Sequence, residues 1–292
     1  MKLIINADDF GISPSTNEAI CELANSGSIT STTVMVNMPY YEDIKELRDS
    51  VPKNLFSIGL HFNITQGKPI SEQEEIRSLV DKEGNFFSPK RLRYRILAGR
   101  ISLSEVQKEF TAQYERLAKL VGVVDHVDSH NDILKYRSTM KAVLSSKILN
   151  TESYLGFRTY NKTFIKQGVN TVHFSEPRIS TLNIFGVKRV FIESVLRFNR
   201  KRADKKLKMC HGFLLDESMR ALATLKFLTQ LSQDLKSHSK VYEICCHPAK
   251  NPSDVPDTTL SATRLNEYEW LTNKNNIENL RKKIELISYN SL

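Results

Sequence analysis

Four short polar motifs, far apart in the chain, each close a short apolar run. They are Asn6-Ala7-Asp8-Asp9-Phe10-Gly11, Gly59-Leu60-His61-Phe62-Asn63, His126-Val127-Asp128-Ser129-His130 and Cys245-Cys246-His247-Pro248. Short unbroken apolar runs read as strands buried on both faces, the pattern of a parallel sheet. In a parallel α/β barrel the C-terminal strand ends converge on one mouth. Acids and imidazoles from four distant segments then point into one volume, which is how a metal site with a neighbouring base is assembled.

The rest of the chain alternates in the same way. Leu3–Ile5, Thr32–Val36, Phe56–His61, Val123–Asp128, Leu155–Arg158, Val241–Cys246 and Ile284–Ile287 read as strands. Helices are expected at about 14–26, 41–49, 103–121, 136–149 and 216–236. The first carries Ser13 as N-cap, Pro14 at its first position and Gly27 as its stop. The third repeats Leu103, Val106, Phe110, Tyr114, Leu117 and Val121 at helical spacing. Residues 66–90 hold Gly, Pro and Ser and read as a long mouth loop. Strands alternating with helices predict an α/β fold, a deformed TIM-like (βα) barrel with mostly parallel strands and long mouth loops.

With 40% hydrophobic and 26% charged residues, the 292-residue chain suits one globular domain over 1–292. No apolar run reaches the ~18 residues of a membrane span. Leu3–Ile5 is followed at once by Asp8 and Asp9, unlike a signal peptide. Cys21, Cys210, Cys245 and Cys246 have no metal-finger spacing, so a reduced cytoplasmic setting is expected. The net charge of +9 is concentrated. Residues 188–208 hold nine Lys or Arg against Glu193 and Asp204. Val187, Val190, Phe191, Val195 and Phe198 recur there at helical spacing, so a basic amphipathic helix is expected at about 187–208. It reads as a solvated face, or as a peripheral contact with an anionic membrane or a lipid-linked glycan at the inner leaflet. No nucleic-acid partner is expected, and a homodimer is left open.

Asp8 and Asp9 are adjacent carboxylates that repel unless a cation lies at one of them. One can bind a metal while the other acts as general base on a water. His126 and Asp128 share a strand face, while His130 lies beyond the strand end toward the mouth. His126 reads equally as a structural histidine below a metal layer. His247 is suited to protonating a leaving amine.

These motifs, in the same order over nearly the whole chain, resemble the YdjC family of carbohydrate deacetylases. The family's N-A-D-D-F-G, G-x-H-x-x-x-T, H-x-D-S-H and C-H-P stretches stand here as Asn6–Gly11, Gly59–Thr65, His126–His130 and Cys246–Pro248. Ile287-Ser288-Tyr289 resembles the family's last strand. The resemblance implies a divalent metal, Mg or Zn with Co and Mn also suited, held by Asp9, His61 and His130. It further implies Asp8 as base, His247 as proton donor and an N-acetylated sugar as substrate. Asn6, Asn63, His126, Asp128, Asp132 and Arg158 are expected to bind substrate or support the ligands.

One departure stands out. The family continues its third motif with further histidines, where this chain has Asp132 and Leu134, so a different sugar is expected. Two rival readings follow from the residues. Two histidines with one carboxylate also form the facial triad of Fe(II) oxygenases, which leaves Asp8 without a role. A sugar-binding module on a decayed barrel accommodates the missing histidines but not the intact triad, base and His247.

Overall fold

The computed structural model describes residues 1–148, 155–160, 162–167, 172–175, 208–215, 220–232, 234–256 and 260–292. Of the basic helix expected at about 187–208, residues 187–207 lie outside these residues, and Lys208 opens a strand instead. In chain order the strands are β1 (Lys2–Phe10), β2 (Ser31–Val34), β3 (Ser57–Phe62), β4 (His126–Ser129), β5 (Gly156–Phe157), β6 (Lys162–Gln167), β7 (Val172–Ser175), β8 (Lys208–Met209), β9 (Gly212–Leu215), β10 (Val241–Cys246) and β11 (Glu285–Leu286). The described helices are α1 (Pro14–Asn25), α2 (Ile44–Ser50), α3 (Pro89–Leu97), α4 (Leu103–Val121), α5 (Arg137–Leu144), α6 (Ala221–Gln230), α7 (Ser261–Thr272) and α8 (Lys274–Lys283).

β1 lies at the centre, parallel to β2 on one side and β10 on the other, and the order continues β2-β3-β4-β5-β8. β8 and β9 are separated only by Cys210 and His211. β8 pairs with β5 (Gly156 with Lys208), whereas β9 pairs with β10 (Tyr242 with Gly212). The backbone N–H of His211 donates to Val241 O at 2.8 Å, continuing that edge. One stretch of chain thus joins the two ends of the curled sheet, giving the deformed (βα) barrel. β6 and β7 form the one antiparallel pair among the described strands and extend the sheet beside β9.

The local sequence accounts for the elements. From Leu3 onward β1 is wholly buried, as a central parallel strand must be. Ser13 caps α1 by accepting from the Thr16 N–H at 3.2 Å, and Pro14 opens the helix. α4 buries Val106, Phe110, Leu117 and Val121, each full burial of a large apolar side chain contributing about 2 kcal/mol. Its buried face also carries Glu109 and Gln113. Glu109 accepts from the backbone N–H groups of Ile70 and Ser71 at 3.0 and 2.9 Å. Gln113 donates to Asn63 O at 2.7 Å and accepts from Asn63 N–H at 3.1 Å. The helix thereby pins the mouth loop that follows β3.

Several elements depart from the sequence reading. The loop read as 66–90 ends at Ser88, where α3 begins; α3 buries only Leu92 and Ile96, too few positions to declare a period. α7 and α8 were not announced either. The buried side chains of α7 include Arg264 and Glu267, so charge interrupts its apolar stripe. The helix expected at 216–236 is described as Ala221–Gln230, and the last strand is reduced to Glu285–Leu286. No described helix is long and apolar enough to cross a membrane.

Candidate metal centre

Neighbouring residues on a strand face opposite ways, yet Asp8 and Asp9 both reach the mouth. The backbone explains this. The β1–β2 register shifts between Ala7 and Phe10, and Asp9 has φ +69°. A non-glycine residue in this region is uncommon and costs on the order of 1–3 kcal/mol. Surrounding bonds enforce it: Ile12 N–H donates to Asp9 O at 3.1 Å, and Gly11 N–H donates to Asn17 Oδ1 at 2.7 Å. Gly11 has φ +98°, a conformation side chains rarely adopt, and a Cβ there would stand only 3.1 Å from the backbone of Met35 and Tyr41.

The turned Asp9 carboxylate meets two imidazoles. Its Oδ1 lies 3.3 Å from His61 Nε2 and 3.1 Å from His130 Nδ1. The far nitrogen of each ring is also engaged. His61 Nδ1 donates to Asp128 Oδ1 at 2.6 Å, and His130 Nε2 donates to Gln66 Oε1 at 3.1 Å. These partners orient both rings so that His61 Nε2 and His130 Nδ1 point at Asp9 Oδ1, the usual support of a metal-ligating histidine. The second oxygen of Asp9 accepts from Arg264 Nη2 at 2.6 Å.

The electrostatics fit a cation. Burial opposes ionisation of Asp9, but hydrogen bonds from His130 and His61 and the charge of Arg264 hold its carboxyl well below the usual range. Burial would likewise lower His61; the Asp128 carboxylate, aided by Asp9 and Asp8, reverses this and raises the ring to about 10. A volume that draws a proton onto a fully buried imidazole is short of positive charge. One carboxylate oxygen and two imidazole nitrogens, all within 4.8 Å of one another, form a donor set that suits Zn²⁺, Mg²⁺, Co²⁺ or Mn²⁺.

Asp8 is built differently. Arg158 Nη1 and Nη2 donate to its two oxygens at 2.7 Å each, and Asn6 Nδ2 donates to Oδ1 at 2.7 Å. Burial pushes Asp8 up, but the Arg158 charge and hydrogen bonds outweigh it and hold the carboxyl well below the ordinary range. Arg158 also donates to Asp128 Oδ2 at 2.8 Å and Glu243 Oε1 at 2.7 Å. Tyr289 Oη donates to the other oxygen of Glu243 at 2.6 Å. Thr33 Oγ1 completes this layer by donating to Asp128 Oδ2 at 2.9 Å. His247 Nε2 stands 3.8 Å from Asp8 Oδ2, with its side chain 25% exposed. The His247 backbone N–H donates to Glu267 Oε2 at 2.6 Å, so α7 holds both Asp9 and His247.

The remaining expected residues lie around this core. His126 is fully buried beneath it, stacked on Tyr289 with centroids 3.9 Å apart and planes at 9°. Its Nε2 lies 3.1 Å from Asn6 Oδ1, and burial keeps its pKa well below the usual value, so it is neutral. Gly59 makes space for this ring: a Cβ there would stand 2.6 Å from His126 Cε1. The Asn63 side chain builds the loop, accepting from the backbone N–H groups of Thr65 and Gln66 and donating to Asn37 Oδ1. Asp132 is set apart on a turn with φ +54°; its side chain is exposed and lies 3.7 Å from Lys135 Nζ. Gln66, Thr33, Glu243, Arg264 and Glu267 were not anticipated. None belongs to a motif that marks it, although Gln66 directly follows the Gly59–Thr65 stretch.

The chain matches the family model described as "YdjC-like protein" over residues 2–282. It is 29% identical to a protein named carbohydrate deacetylase from Clostridium beijerinckii over 294 residues, covering 100% of both chains. A carbohydrate deacetylase from Enterococcus faecalis is 29% identical over 297 residues, covering 100% of this chain and 98% of the relative. A chitooligosaccharide deacetylase from Proteus mirabilis is 36% identical over 142 residues, covering 48% of this chain and 53% of the relative. A crystal structure from Enterococcus faecalis V583, provisionally described as a cellobiose-phosphate cleavage protein, superposes with a TM-score of 0.69 at 25% identity. That superposition covers 99% of this chain and 98% of the other.

Proposed function

The chain belongs to the YdjC-like family, and on that premise we propose that it is a metal-dependent hydrolase that removes the N-acetyl group from an amino sugar. The observation that carries this reading is the meeting of Asp9, His61 and His130 around one point, with the ionised Asp8 and the partly exposed His247 beside it.

In this reading Asp9 Oδ1, His61 Nε2 and His130 Nδ1 hold the cation. Bound there, a divalent cation supplies Lewis-acid chemistry that acidifies a water and polarises the acetyl carbonyl. Asp8 takes the proton from the attacking water. Its Arg158 clamp keeps it charged and oriented, and makes it a weak base that acts only on an acidified water. His247 gives a proton to the departing sugar nitrogen, which cannot leave as an anion. Glu267 and Arg264 set the two sides of the mouth by holding the His247 backbone and the Asp9 carboxylate. The base beside the triad favours hydrolysis over an oxygenase reading, in which Asp8 has no work to do. The family pattern that this chain resembles continues its third motif with histidines where Asp132 is exposed and Leu134 is buried here, in keeping with a different amino sugar.

The experiment is acetate release from a panel of N-acetylated mono- and oligosaccharides, with metal-stripped protein and each cation restored in turn. Release from one or more sugars that stops with chelator and returns with metal supports the reading. Sugar binding without acetate release, across the panel and every cation, would replace it with a binding module.

A further inference from the structure

We propose that Asp8, Cys245 and His247 form a second cation site, selective for thiophilic ions such as Zn²⁺, beside the Asp9–His61–His130 site. One ligand atom from each, a carboxylate oxygen, Sγ and an imidazole nitrogen, lies within 4.8 Å of the others. That is the ligand chemistry zinc prefers, and the thiolate is what separates it from the oxygen- and nitrogen-only first site.

The strand register sets the geometry. Cys245 pairs with Asn6 across β10 and β1, so both side chains leave the sheet on the same face, and Asp8, two residues after Asn6, shares it. The Asn6 side chain donates to Asp8 on that face. Cys246 points the opposite way, buried, with its Sγ donating to Asn6 O at 3.5 Å. Of these two adjacent cysteines, only Cys245 faces the mouth. Cys245 and His247 are both partly exposed, so an ion from solvent reaches them. Arg158 occupies one lone pair on each Asp8 oxygen. Its charge is shared with Asp128 and Glu243, and the second lone pair of Oδ2 remains for a cation on the His247 side.

Binding is a simple exchange: the cation enters, the Cys245 thiol releases its proton to solvent, and no redox change occurs. The thiolate and the Asp8 carboxylate then balance the two positive charges. The consequence for activity rests on the function proposed above. Asp8 and His247 are its base and acid, so a cation held between them stops turnover. Hard cations such as Mg²⁺, which bind thiolates poorly, fill only the first site. Excess zinc therefore inhibits and excess magnesium does not.

The test is a Co²⁺ titration of metal-free protein followed in the near ultraviolet, where a thiolate bound to cobalt gives a charge-transfer band. The wild-type chain takes up two equivalents and develops the band. C245S and C245A take up one equivalent without it, and His130→Ala keeps it, which separates this site from the first. Absence of the band in wild type under excess cobalt, or an undiminished band in C245S, overturns the site. In a turnover assay, excess Zn²⁺ abolishes acetate release by wild type and spares C245S; equal inhibition of both overturns the inhibitory role. If no sugar is deacetylated at all, the proposed reaction fails while the cobalt titration still decides the site.

Discussion

Arg158 grips both oxygens of Asp8, with two nitrogen–oxygen distances of 2.7 Å, across 150 residues of chain. The same guanidinium reaches Asp128 and Glu243, so three buried carboxylates from β1, β4 and β10 share one cation. Arg158→Met leaves those charges without their partner. Breaking a buried ion pair costs about 3–5 kcal/mol. A drop of that size in urea-unfolding free energy is expected, against little change for exposed Lys45→Met. An unchanged unfolding curve would mean the clamp is not formed in solution.

Asp8→Asn keeps the shape of the side chain and removes its capacity to take a proton. Metal content should persist while turnover falls roughly 10²-fold or more. Near-normal turnover would remove Asp8 from the chemistry.

Gln66 accepts from His130 Nε2 at 3.1 Å, which turns Nδ1 toward Asp9. Losing such a partner typically weakens metal binding about 10–100-fold. Gln66→Leu should show this in calorimetric titration with Zn²⁺, with an unfolding midpoint close to wild type. Unaltered affinity would mean the ring is held well enough by its other contacts.

His247→Ala should slow an unactivated acetamide far more than an acetate ester with a good leaving group, because only the amine needs protonation. Equal losses on the two substrates would assign His247 to positioning the sugar.

Asp125 supplies a pH prediction. Its Oδ2 accepts from Ile58 N–H at 2.7 Å, yet burial pushes its carboxyl up from 3.8 to about 6. A raised acid pKa means the folded state disfavours the ionised form. The cost is absent below the unfolded value, grows as pH rises through it, and is complete above about 6. Asp125→Asn keeps an acceptor for Ile58 and removes the charge. It should raise the thermal midpoint near neutral pH, and the gain should shrink as pH falls toward about 4. A gain that is constant across this range would point to packing instead.

The barrel and the triad were legible because parallel strands leave an unmistakable trace. Leu3–Ile5 is apolar without interruption and Phe56–Leu60 is broken only by Ser57 and Gly59, and the acids and imidazoles start where each strand reaches the mouth. What surrounds the triad was not legible. Arg264 and Glu267 lie on the buried side of α7, and their charge breaks the period that would have revealed the helix. Gln66 and Thr33 act through long-range side-chain hydrogen bonds that no local pattern encodes. The positive φ of Asp9, which turns two adjacent carboxylates into one mouth, arises from a register shift between two strands. Closure by residues 208–215 was hidden because β8 contributes only Lys208 and Met209. Arg158 could be placed only as a strand-end residue near the site; its three carboxylate partners come from strands distant in sequence.

The most direct measurement is the metal content of purified wild type and His130→Ala by mass spectrometry, paired with acetate release by the same samples. The account predicts a stoichiometric divalent cation and turnover in wild type, and the loss of both together in the variant. Stoichiometric metal retained in His130→Ala, or turnover by a metal-free sample, would contradict it.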